Sequence, residues 1–389
     1  MLAAPPLSLY VHLPWCVRKC PYCDFNSHAV PARGVPEAAY LAALLDDLEH
    51  ATRDASGRPL VSVFFGGGTP SLFSADSVGR IIERAVQRNG AAADLEVTLE
   101  ANPGTVERGR FAAYRAAGVN RVSLGAQSFN DRHLAALGRI HARDETLAAV
   151  EELLAAQLDN FNLDLMYALP EQSLDEALAD LEQALDLAPP HLSHYQLTLE
   201  PGTAFERRPP RMPDDESAYA MQITCQQRLA TAGYRHYETS AYARAGRECR
   251  HNLNYWCFGD YLGIGAGAHG KVTDAARGRV LRTARVKQPG RYLAATRPAA
   301  RLEEVREVPP ADLAFEFCLN ALRLGDGFEV ESFESRTGQP FSAIAGPVAE
   351  AIGKGLLAAA PGGRWVPTEL GARFLNDLQA LFLPEPGGG

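Results

Sequence analysis

From about residue 7 to residue 200 the chain alternates apolar, strand-like runs with amphipathic, helix-like runs, and this alternation restricts its fold more than any other feature. Six apolar runs predict strands at 7–13, 60–65, 95–100, 121–126, 161–167 and 191–199. Five runs with apolar residues at helical spacing predict the intervening helices, at 36–53, 75–88, 106–117, 143–156 and 174–187. Strands that alternate with helices in this way form parallel sheets. The sequence therefore predicts an α/β fold, a parallel (β/α)6 arrangement that closes completely or partly into a barrel.

Each of the six predicted strands ends in a polar or glycine-rich stretch. These stretches contain His12, Gly66–Thr69, Glu100 with Asn102, Gln127, Asp164 and Thr198. The carboxyl ends of parallel barrel strands meet at one face, where barrel enzymes carry their sites. A single polar residue at a strand end commonly only meets water, but six in succession indicate a binding site.

Changes in composition and in hydrophobic pattern divide the chain into five parts. Residues 1–6 are expected to be a flexible N-terminus, 7–240 the barrel, and 241–309 a connecting region rich in Gly, Tyr and Arg. Residues 310–383 are expected to form a small, mostly α domain of winged-helix-like order, and 384–389 a disordered Pro/Gly tail. The C-terminal domain has helix-like runs at 311–323, 329–336, 347–359 and 368–382, with a strand at 364–366.

Charge and hydropathy exclude two classes of partner. The 389 residues carry a net charge of −9, and residues 310–389 hold ten acidic against five basic side chains. Nucleic-acid binding starts from neutralisation of phosphates, so no nucleic-acid partner is expected. No apolar run approaches the roughly 18 residues that suggest a membrane span, and residues 1–6 lack the features of a signal peptide. A cytoplasmic location is expected.

Three of the seven cysteines fall within eight residues, directly after the first predicted strand, at Cys16, Cys20 and Cys23. An odd number of cysteines spread over a long chain does not suggest a disulfide framework. Thiolates at this spacing can hold three corners of a [4Fe–4S] cluster and leave one iron open. The alternative is a zinc site that takes a fourth ligand from His12 or His28.

The pattern Cys16-x3-Cys20-x2-Cys23, with an aromatic residue at Tyr22, resembles the signature of the radical SAM superfamily. The resemblance implies that the open iron binds the amino and carboxylate groups of S-adenosylmethionine. Over about residues 7–383 the chain is similar to the anaerobic coproporphyrinogen-oxidase-like branch of that superfamily.

The same resemblance implies which residues contact S-adenosylmethionine. The glycine-rich stretch is expected to meet the methionyl amino group, Arg139 a carboxylate and Asp164 a hydroxyl, while no catalytic residue is assigned. The implied set is Tyr10, Tyr22, Gly67, Gly68, Thr69, Glu100, Gln127, Arg139, Asp164 and Thr198.

Two functions occur in this branch, the oxygen-independent coproporphyrinogen III dehydrogenase and the haem chaperone. The dehydrogenases carry a further cysteine two residues beyond the third ligand, where this chain has Phe25, and a long extension before the cluster, where it has 15 residues. Both differences favour a haem chaperone, with the dehydrogenase as the alternative. The resemblance then implies three partners: haem, a haem-acceptor protein that can be membrane-bound, and an electron donor to the cluster. Peripheral contact with a membrane follows if the acceptor is membrane-bound.

The segment His251-Asn-Leu-Asn-Tyr-Trp resembles the H-N-x-x-Y-W motif of the haem chaperones. A neutral imidazole is a common axial ligand of haem iron, and aromatic rings pack on a porphyrin face. Haem is therefore expected to bind at His251, Tyr255 and Trp256. The alternative ligands are the neighbouring thiols and imidazole of Cys249, Cys257 and His269.

Overall fold

The computed structural model describes residues 2–55, 57–104 and 109–384. Their strands fall into one large sheet and two small ones. The strands of the large sheet are β1 Leu7–Leu13, β4 Leu60–Gly67, β5 Ala91–Ala101, β6 Arg121–Gln127, β7 Phe161–Tyr167, β8 His191–Gln196, β9 Arg235–Glu238, β10 Ala241–Ala243, β11 Asp260–Ile264, β12 His269–Asp274, β13 Arg279–Arg285 and β14 Leu302–Glu307. The small sheets contain β2 Trp15–Cys16 with β3 His28–Ala29, and β15 Phe328–Glu329 with β16 Leu357–Ala360 and β17 Arg364–Pro367.

The helices lie largely where the apolar spacing predicts them. They are α1 Glu37–Ala51, α2 Ala75–Asn89, α3 Phe111–Ala116, α4 Asp131–Ala136, α5 Arg143–Ala155, α6 Leu174–Asp186, α7 Ala204–Arg207, α8 Asp215–Thr231, α9 Arg250–Trp256, α10 Pro289–Ala294, α11 Pro310–Ala321, α12 Val330–Thr337, α13 Ala345–Gly353, α14 Glu369–Arg373 and α15 Leu375–Ala380. Several helices begin at residues that cap their first turn. At the start of α6, the side chains of Ser173 and Glu176 form a reciprocal capping box. The start of the helix predicted at 106–117 lies outside the described residues.

The large sheet is mostly parallel and open. Its strand order is β14-β13-β12-β11-β1-β4-β5-β6-β7-β8-β10-β9, and every pair from β11 to β8 is parallel. Both ends of this parallel part continue into antiparallel strands, and no pairing among the described residues joins β9 to β14. Of the two predicted forms, the partly closed one is therefore confirmed.

The two faces of the parallel strands differ in polarity. The face under the helices carries the main apolar core, including Leu9, Val63, Leu99, Leu124 and Leu163, each fully buried. The opposite face carries a row of polar side chains on adjacent strands, and the register places these residues next to one another: Ser8, Ser62, Glu96, Thr98, Arg121, Ser123, Asn162, Asp164, His191 and Ser193. Buried polar groups require hydrogen-bond partners, so this inner face of the sheet is suited to bind other polar groups.

Two segments predicted to lie outside the barrel contact it closely. Residues 241–309, predicted to be a connecting region, supply strands β10 to β14 of the large sheet. These strands, of which β11 is parallel to β1 and the others are antiparallel to their neighbours, carry no clear apolar period, which is why sequence reasoning missed them. Residues 2–6, predicted to be flexible, are also held: the N–H of Ala3 donates to Ser335 O at 2.8 Å, and Pro6 O accepts from Asp260 N at 3.0 Å.

The C-terminal residues form a second core. Helices α11, α12 and α13 precede the antiparallel hairpin β16–β17, and this order of helices and hairpin is winged-helix-like. Phe317, Phe328 and Phe333 pack edge to face at its centre, and Phe258 from the preceding region packs on Phe317 with ring centroids 5.8 Å apart. The predicted tail at 384–389 lies outside the described residues from position 385 onward. Across the described ranges, every helix is too short or too polar to cross a bilayer.

A buried ion pair joins β11 to β12. Lys271 Nζ lies 2.9 Å from Asp260 Oδ1, and both side chains are almost completely buried. Asp260→Asn keeps the shape but leaves the Lys271 ammonium without its counter-charge, so we expect the free energy of unfolding in urea to fall by about 3–5 kcal/mol. The control is Glu350→Gln, which removes the exposed Glu350–Lys354 pair and is expected to cost less than about 1 kcal/mol. Equal losses from the two variants would contradict the prediction.

Candidate functional site

The cysteine loop leaves the carboxyl end of β1 and returns to the same place. Its two ends are tied by the short parallel pair β2–β3, in which Trp15 lies opposite His28. Within the loop, the N–H of Cys23 donates to Cys20 O at 3.2 Å. Cys16, Cys20 and Cys23 are free thiols, each partly exposed. The loop therefore presents three sulfur atoms that no disulfide occupies.

Two glycines at the end of β4 allow the loop to pack against that strand. A Cβ on Gly68 would lie 2.5 Å from Trp15 O, and a Cβ on Gly67 would lie 2.5 Å from the His12 ring. Gly67 also has φ +117°, which side-chain-bearing residues rarely adopt. Two backbone hydrogen bonds hold the loop against the strand: Gly68 N donates to Leu13 O and Thr69 N to Trp15 O, both at 2.8 Å. Glycine is therefore required at position 68 by the close approach of Trp15 O. At position 67 it is required by the close approach of the His12 ring and by the positive φ.

A cleft of about 750 Å³ opens to solvent at the carboxyl ends of the parallel strands. It brings together all three cysteines and eight of the ten residues predicted to contact S-adenosylmethionine. Those eight are Tyr22, Gly67, Gly68, Thr69, Glu100, Gln127, Arg139 and Asp164.

Two carboxyl groups lie at the base of the cleft. Glu100 Oε2 accepts from the N–H of Gly67 at 3.2 Å, and Asp164 accepts from Asn162 Nδ2 at 2.8 Å and from Ser123 Oγ at 3.2 Å. Burial, reinforced by the neighbouring Asp164, raises the pKa of Glu100 to about 8, and burial likewise raises the pKa of Asp164. Both groups therefore favour a ligand that donates hydrogen bonds or carries positive charge.

One cation faces the cysteine loop from the opposite wall. Arg139 donates to Gly125 O at 2.9 Å and to the side chain of Asn102, and its Nη1 lies 3.7 Å from Cys20 Sγ. Asn102 in turn donates to Thr69 Oγ1 at 2.8 Å. This network holds the guanidinium beside the thiols, where it can pair with an anionic group of a ligand.

Gln127 ends β6 with φ +67°, an uncommon conformation for a residue other than glycine. Its Oε1 accepts from the hydroxyl of Tyr195 at 2.8 Å. Backbone strain of this kind tends to occur at functional sites, where the surrounding structure holds it in place. The strained turn directs the Gln127 side chain into the cleft.

Two predicted contacts do not line the cleft. Tyr10 lies beneath it, where its hydroxyl donates to His12 Nδ1 at 2.9 Å and its ring stacks on Phe64. Thr198 is exposed on the segment after β8, where its hydroxyl donates to Glu200 at 2.6 Å. Tyr10 can support the floor of the cleft, whereas Thr198 faces solvent because β8 ends before it, at Gln196.

The two histidines considered as a fourth zinc ligand are already engaged. The Nε2 of His12 donates to Asn26 O at 2.9 Å while its Nδ1 accepts from Tyr10. His28 Nε2 lies 3.3 Å from Asn26 Oδ1. Both ring nitrogens of His12 and the Nε2 of His28 therefore have partners other than the three thiols.

His251 lies inside the sheet, away from solvent. Helix α9 begins on the carboxylate of Glu96, which accepts from the backbone N–H groups of Arg250 and His251 at 3.2 Å each. His251 Nδ1 lies 2.8 Å from Ser62 Oγ, its Nε2 lies 3.3 Å from the Tyr255 hydroxyl, and its ring stacks on Phe64. The residue is 1% exposed. In this arrangement both ring nitrogens of His251 lie beside hydroxyl groups, and haem ligation by this residue stays a prediction.

The other residues of the predicted haem site are also occupied. Tyr255 packs edge to face on Tyr261 with centroids 4.3 Å apart, and the Arg323 guanidinium lies 4.2 Å from the centre of the Trp256 ring. Of the alternative ligands, Cys249 is buried, whereas Cys257 and His269 are exposed. In this structure the motif therefore packs against the inner face of the sheet, and haem binding at its residues stays a prediction.

Comparison with known proteins places this geometry in a family. Residues 10–184 match the model of the radical SAM superfamily, and residues 308–374 match the HemN C-terminal domain. The chain is 49% identical over 390 residues to "Heme chaperone HemW" of Escherichia coli (strain K12), covering 99% of this chain and 100% of that protein. It is 48% identical over 385 residues to the protein of the same name from Haemophilus influenzae, covering 98% and 99%. The chain belongs to the HemW family of radical SAM proteins.

A solved structure supports the fold of this HemW-family chain. The coproporphyrinogen III oxidase HemN of Escherichia coli, a radical SAM enzyme, superposes with a TM-score of 0.80 at 21% identity. The match covers 97% of this chain and 90% of that one. At this identity the likeness concerns the fold, including the open parallel sheet and the C-terminal helical domain.

Ser123 and Tyr195 are among the side chains of the HemW-family cleft that sequence reasoning missed. Ser123 and Tyr195 line it, from the middle of β6 and the end of β8. Both occupy inward positions of their strands, and the alternation in β8 could have identified Tyr195. Ser123 carries no such signal, because every residue of β6 is buried and the strand reads as uniformly core-forming.

Burial of His251 predicts a pH effect on stability. Desolvation lowers the pKa of His251 to about 3 in the folded protein, below its ordinary unfolded value near 6.5. The unfolded state therefore takes up a proton between pH 6.5 and 3 that the folded state does not, and stability falls as the pH falls through that window. From pH 7 to pH 5, the wild type should lose about 2 kcal/mol more unfolding free energy than His251→Gln.

The control for this measurement is His50→Gln, at the partly exposed end of α1. It is expected to keep the pH dependence of the wild type in the same urea titrations. A His251→Gln profile parallel to that of the wild type would contradict the buried, neutral state of His251.

Proposed function

We propose that this protein is a haem chaperone that binds haem and delivers it to an acceptor protein, and that it carries a [4Fe–4S] cluster with S-adenosylmethionine. The observation that carries the proposal is near-complete alignment at 49% identity with a relative named as a haem chaperone. Phe25 supports it as well, because this exposed ring lines the cleft where the dehydrogenases are expected to have a further thiol.

The residues present fit the cluster. Cys16, Cys20 and Cys23 would hold it, because they are free, partly exposed and directed to one cleft. When bound, the cluster and S-adenosylmethionine supply one-electron chemistry. The chain holds the loop against Gly67 and Gly68 and so keeps the thiols in place.

The cleft walls fit S-adenosylmethionine. Arg139 is suited to its carboxylate and Asp164 to a ribose hydroxyl, while the Glu100 carboxyl lies at the strand end beside Gly67. Thr69, Gln127 and Tyr22 complete the proposed contacts, with Tyr10 supporting them from below. Thr198 is left out of this set because it lies outside the cleft.

The proposal extends to partners and location. An electron donor is needed to reduce the cluster, and an acceptor protein receives the haem. We place the protein in the cytoplasm, in peripheral contact with a membrane when the acceptor is membrane-bound. The acidic net charge of −9 is consistent with the expectation that nucleic acid is not a partner.

Cysteine variants test the cluster. Cys16→Ser, Cys20→Ser and Cys23→Ser are each expected to lose the broad visible absorption of the reconstituted protein, because three thiolates are needed to hold the cluster. The matched controls are Cys257→Ser at an exposed thiol and Cys318→Ala at a buried one, and both should retain iron and sulfide. Retention of four irons by any of the three loop variants would rule out the assigned ligands.

Haem titration tests the chaperone function. Under anaerobic conditions the cluster-loaded protein is expected to bind haemin with a saturable Soret change and to release it to apomyoglobin. The same preparation should not convert coproporphyrinogen III to protoporphyrinogen IX. Absence of haem binding together with that conversion would replace the chaperone by the dehydrogenase.

A further inference from the structure

A line of hydrogen-bonded polar groups runs along the inner face of the sheet, from the base of the cleft to the start of α9. Its members are, in order, Asp164, Ser123, Asn162, His191, Tyr237 and the backbone N–H of Cys249. Asp164 lines the cleft, whereas Asn162 and His191 are each 1% exposed and do not line it. These two residues can therefore act on a ligand in the cleft only through Asp164.

The side-chain amide of Asn162 has a different partner on each side. Its Nδ2 lies 2.8 Å from Asp164 Oδ1 and 2.8 Å from Ser123 Oγ, and its Oδ1 lies 2.7 Å from His191 Nδ1. An ionised carboxylate only accepts hydrogen bonds, so the NH2 group of the amide faces Asp164 and the oxygen faces His191. The hydroxyl of Ser193 donates to the same oxygen at 3.1 Å. Nδ1 of His191 therefore carries a hydrogen and donates it to Asn162.

A single tautomer of His191 fits both of its neighbours. Burial, with a smaller contribution from the charge of Arg121, lowers the pKa of His191 well below its ordinary value, so the ring is neutral. With the hydrogen on Nδ1, Nε2 accepts, and the hydroxyl of Tyr237 donates to it at 2.8 Å. The Tyr237 oxygen accepts in turn from the N–H of Cys249 at 3.3 Å. Every donor in the line is therefore directed toward Asp164.

This line of donors holds the Asp164 carboxylate in place. Its Oδ1 accepts from Asn162 at 2.8 Å and its Oδ2 accepts from Ser123 at 3.2 Å. A side chain held by such bonds before the ligand arrives loses less freedom when the ligand binds. Each carboxylate oxygen has a second lone pair, and Asp164 lines the cleft, so the carboxylate can still accept from a hydroxyl group of a ligand there.

We propose that Asn162 and His191 are positioning residues for S-adenosylmethionine, which hold the Asp164 carboxylate ready for a ribose hydroxyl. The inference rests on the proposed function, which supplies the ligand. Asn162 acts through Asp164, and His191 acts through Asn162 by fixing the direction of its amide. Because Cys249 directly precedes α9, the same line ties the Asp164 carboxylate to the helix that carries His251.

The test measures binding of S-adenosylmethionine to the cluster-loaded wild type and to variants of both residues. Asn162→Leu is expected to weaken binding about tenfold, and His191→Leu about threefold, because Ser193 still holds the amide of Asn162. His191→Asn should bind within about twofold of the wild type, since its amide nitrogen can replace Nδ1 as the donor. The matched control is His194→Leu, which should bind as the wild type does. His194 is buried on the opposite face of the same strand, where its ring stacks on Tyr167.

Two further measurements separate positioning from packing. In an Asp164→Ala background, Asn162→Leu should cost no further affinity, because its effect passes through the missing carboxylate. An analogue of S-adenosylmethionine without ribose hydroxyls should bind equally to the wild type and to Asn162→Leu. Thermal unfolding and iron content show that each variant is folded and loaded.

Three results would overturn the inference and leave the proposed function standing. They are unchanged binding by Asn162→Leu, the same loss in the Asp164→Ala background, and the same loss for the analogue. A wild type that does not bind S-adenosylmethionine at all would refute the proposed function, and the inference with it.

Discussion

The close contact between the end of β4 and the chain that follows β1 is the constraint on which the site depends. Gly68 brings two backbones to a distance that no side chain would permit, and Gly67 leaves room for the His12 ring. The two backbone bonds across this contact fix the start of the cysteine loop above the strand ends. Because the strands are parallel, the polar ends of β5, β6 and β7 lie on the same side and form the remaining walls.

The polar inner face of the sheet imposes a second requirement. Side chains such as Glu96, Asn162 and His191 are buried and need hydrogen-bond partners. Helix α9 meets part of this need: Glu96 accepts from its first N–H groups, and Ser62 and Tyr255 bond the ring of His251. His191 is bonded in the same way by Asn162 and Tyr237. In this structure the H-N-x-x-Y-W motif thus packs on this face through His251 and Tyr255.

Local patterns predicted the elements that depend on local physics. Strands β1 and β7 match their predicted bounds, and α2, α5 and α6 lie within a residue of theirs, because apolar periodicity and capping residues act over a few positions. The rule that parallel strand ends converge predicted that Gly67–Thr69, Glu100, Gln127 and Asp164 lie together, while Tyr22 and Arg139 came from the family resemblance, and all of them line the cleft. Thr198 lies outside the cleft because β8 ends at Gln196, and strand ends are set by pairing with a neighbour. The strands of residues 241–309 were missed because they carry no clear apolar period, although β12 and β13 pair as neighbours in the chain.

By itself, the sequence determined the cysteine spacing, the alternation of strands and helices, and the family resemblance, because each of these depends on residues that are close together in the chain. The tertiary structure decided which polar side chains are buried and what they contact. In the sequence, His251 stands in a motif that suggests a ligand. Only the packing of α9 against Glu96 and Phe64 buries it. Exposure depends on contacts between residues far apart in the chain, and no local pattern encodes them.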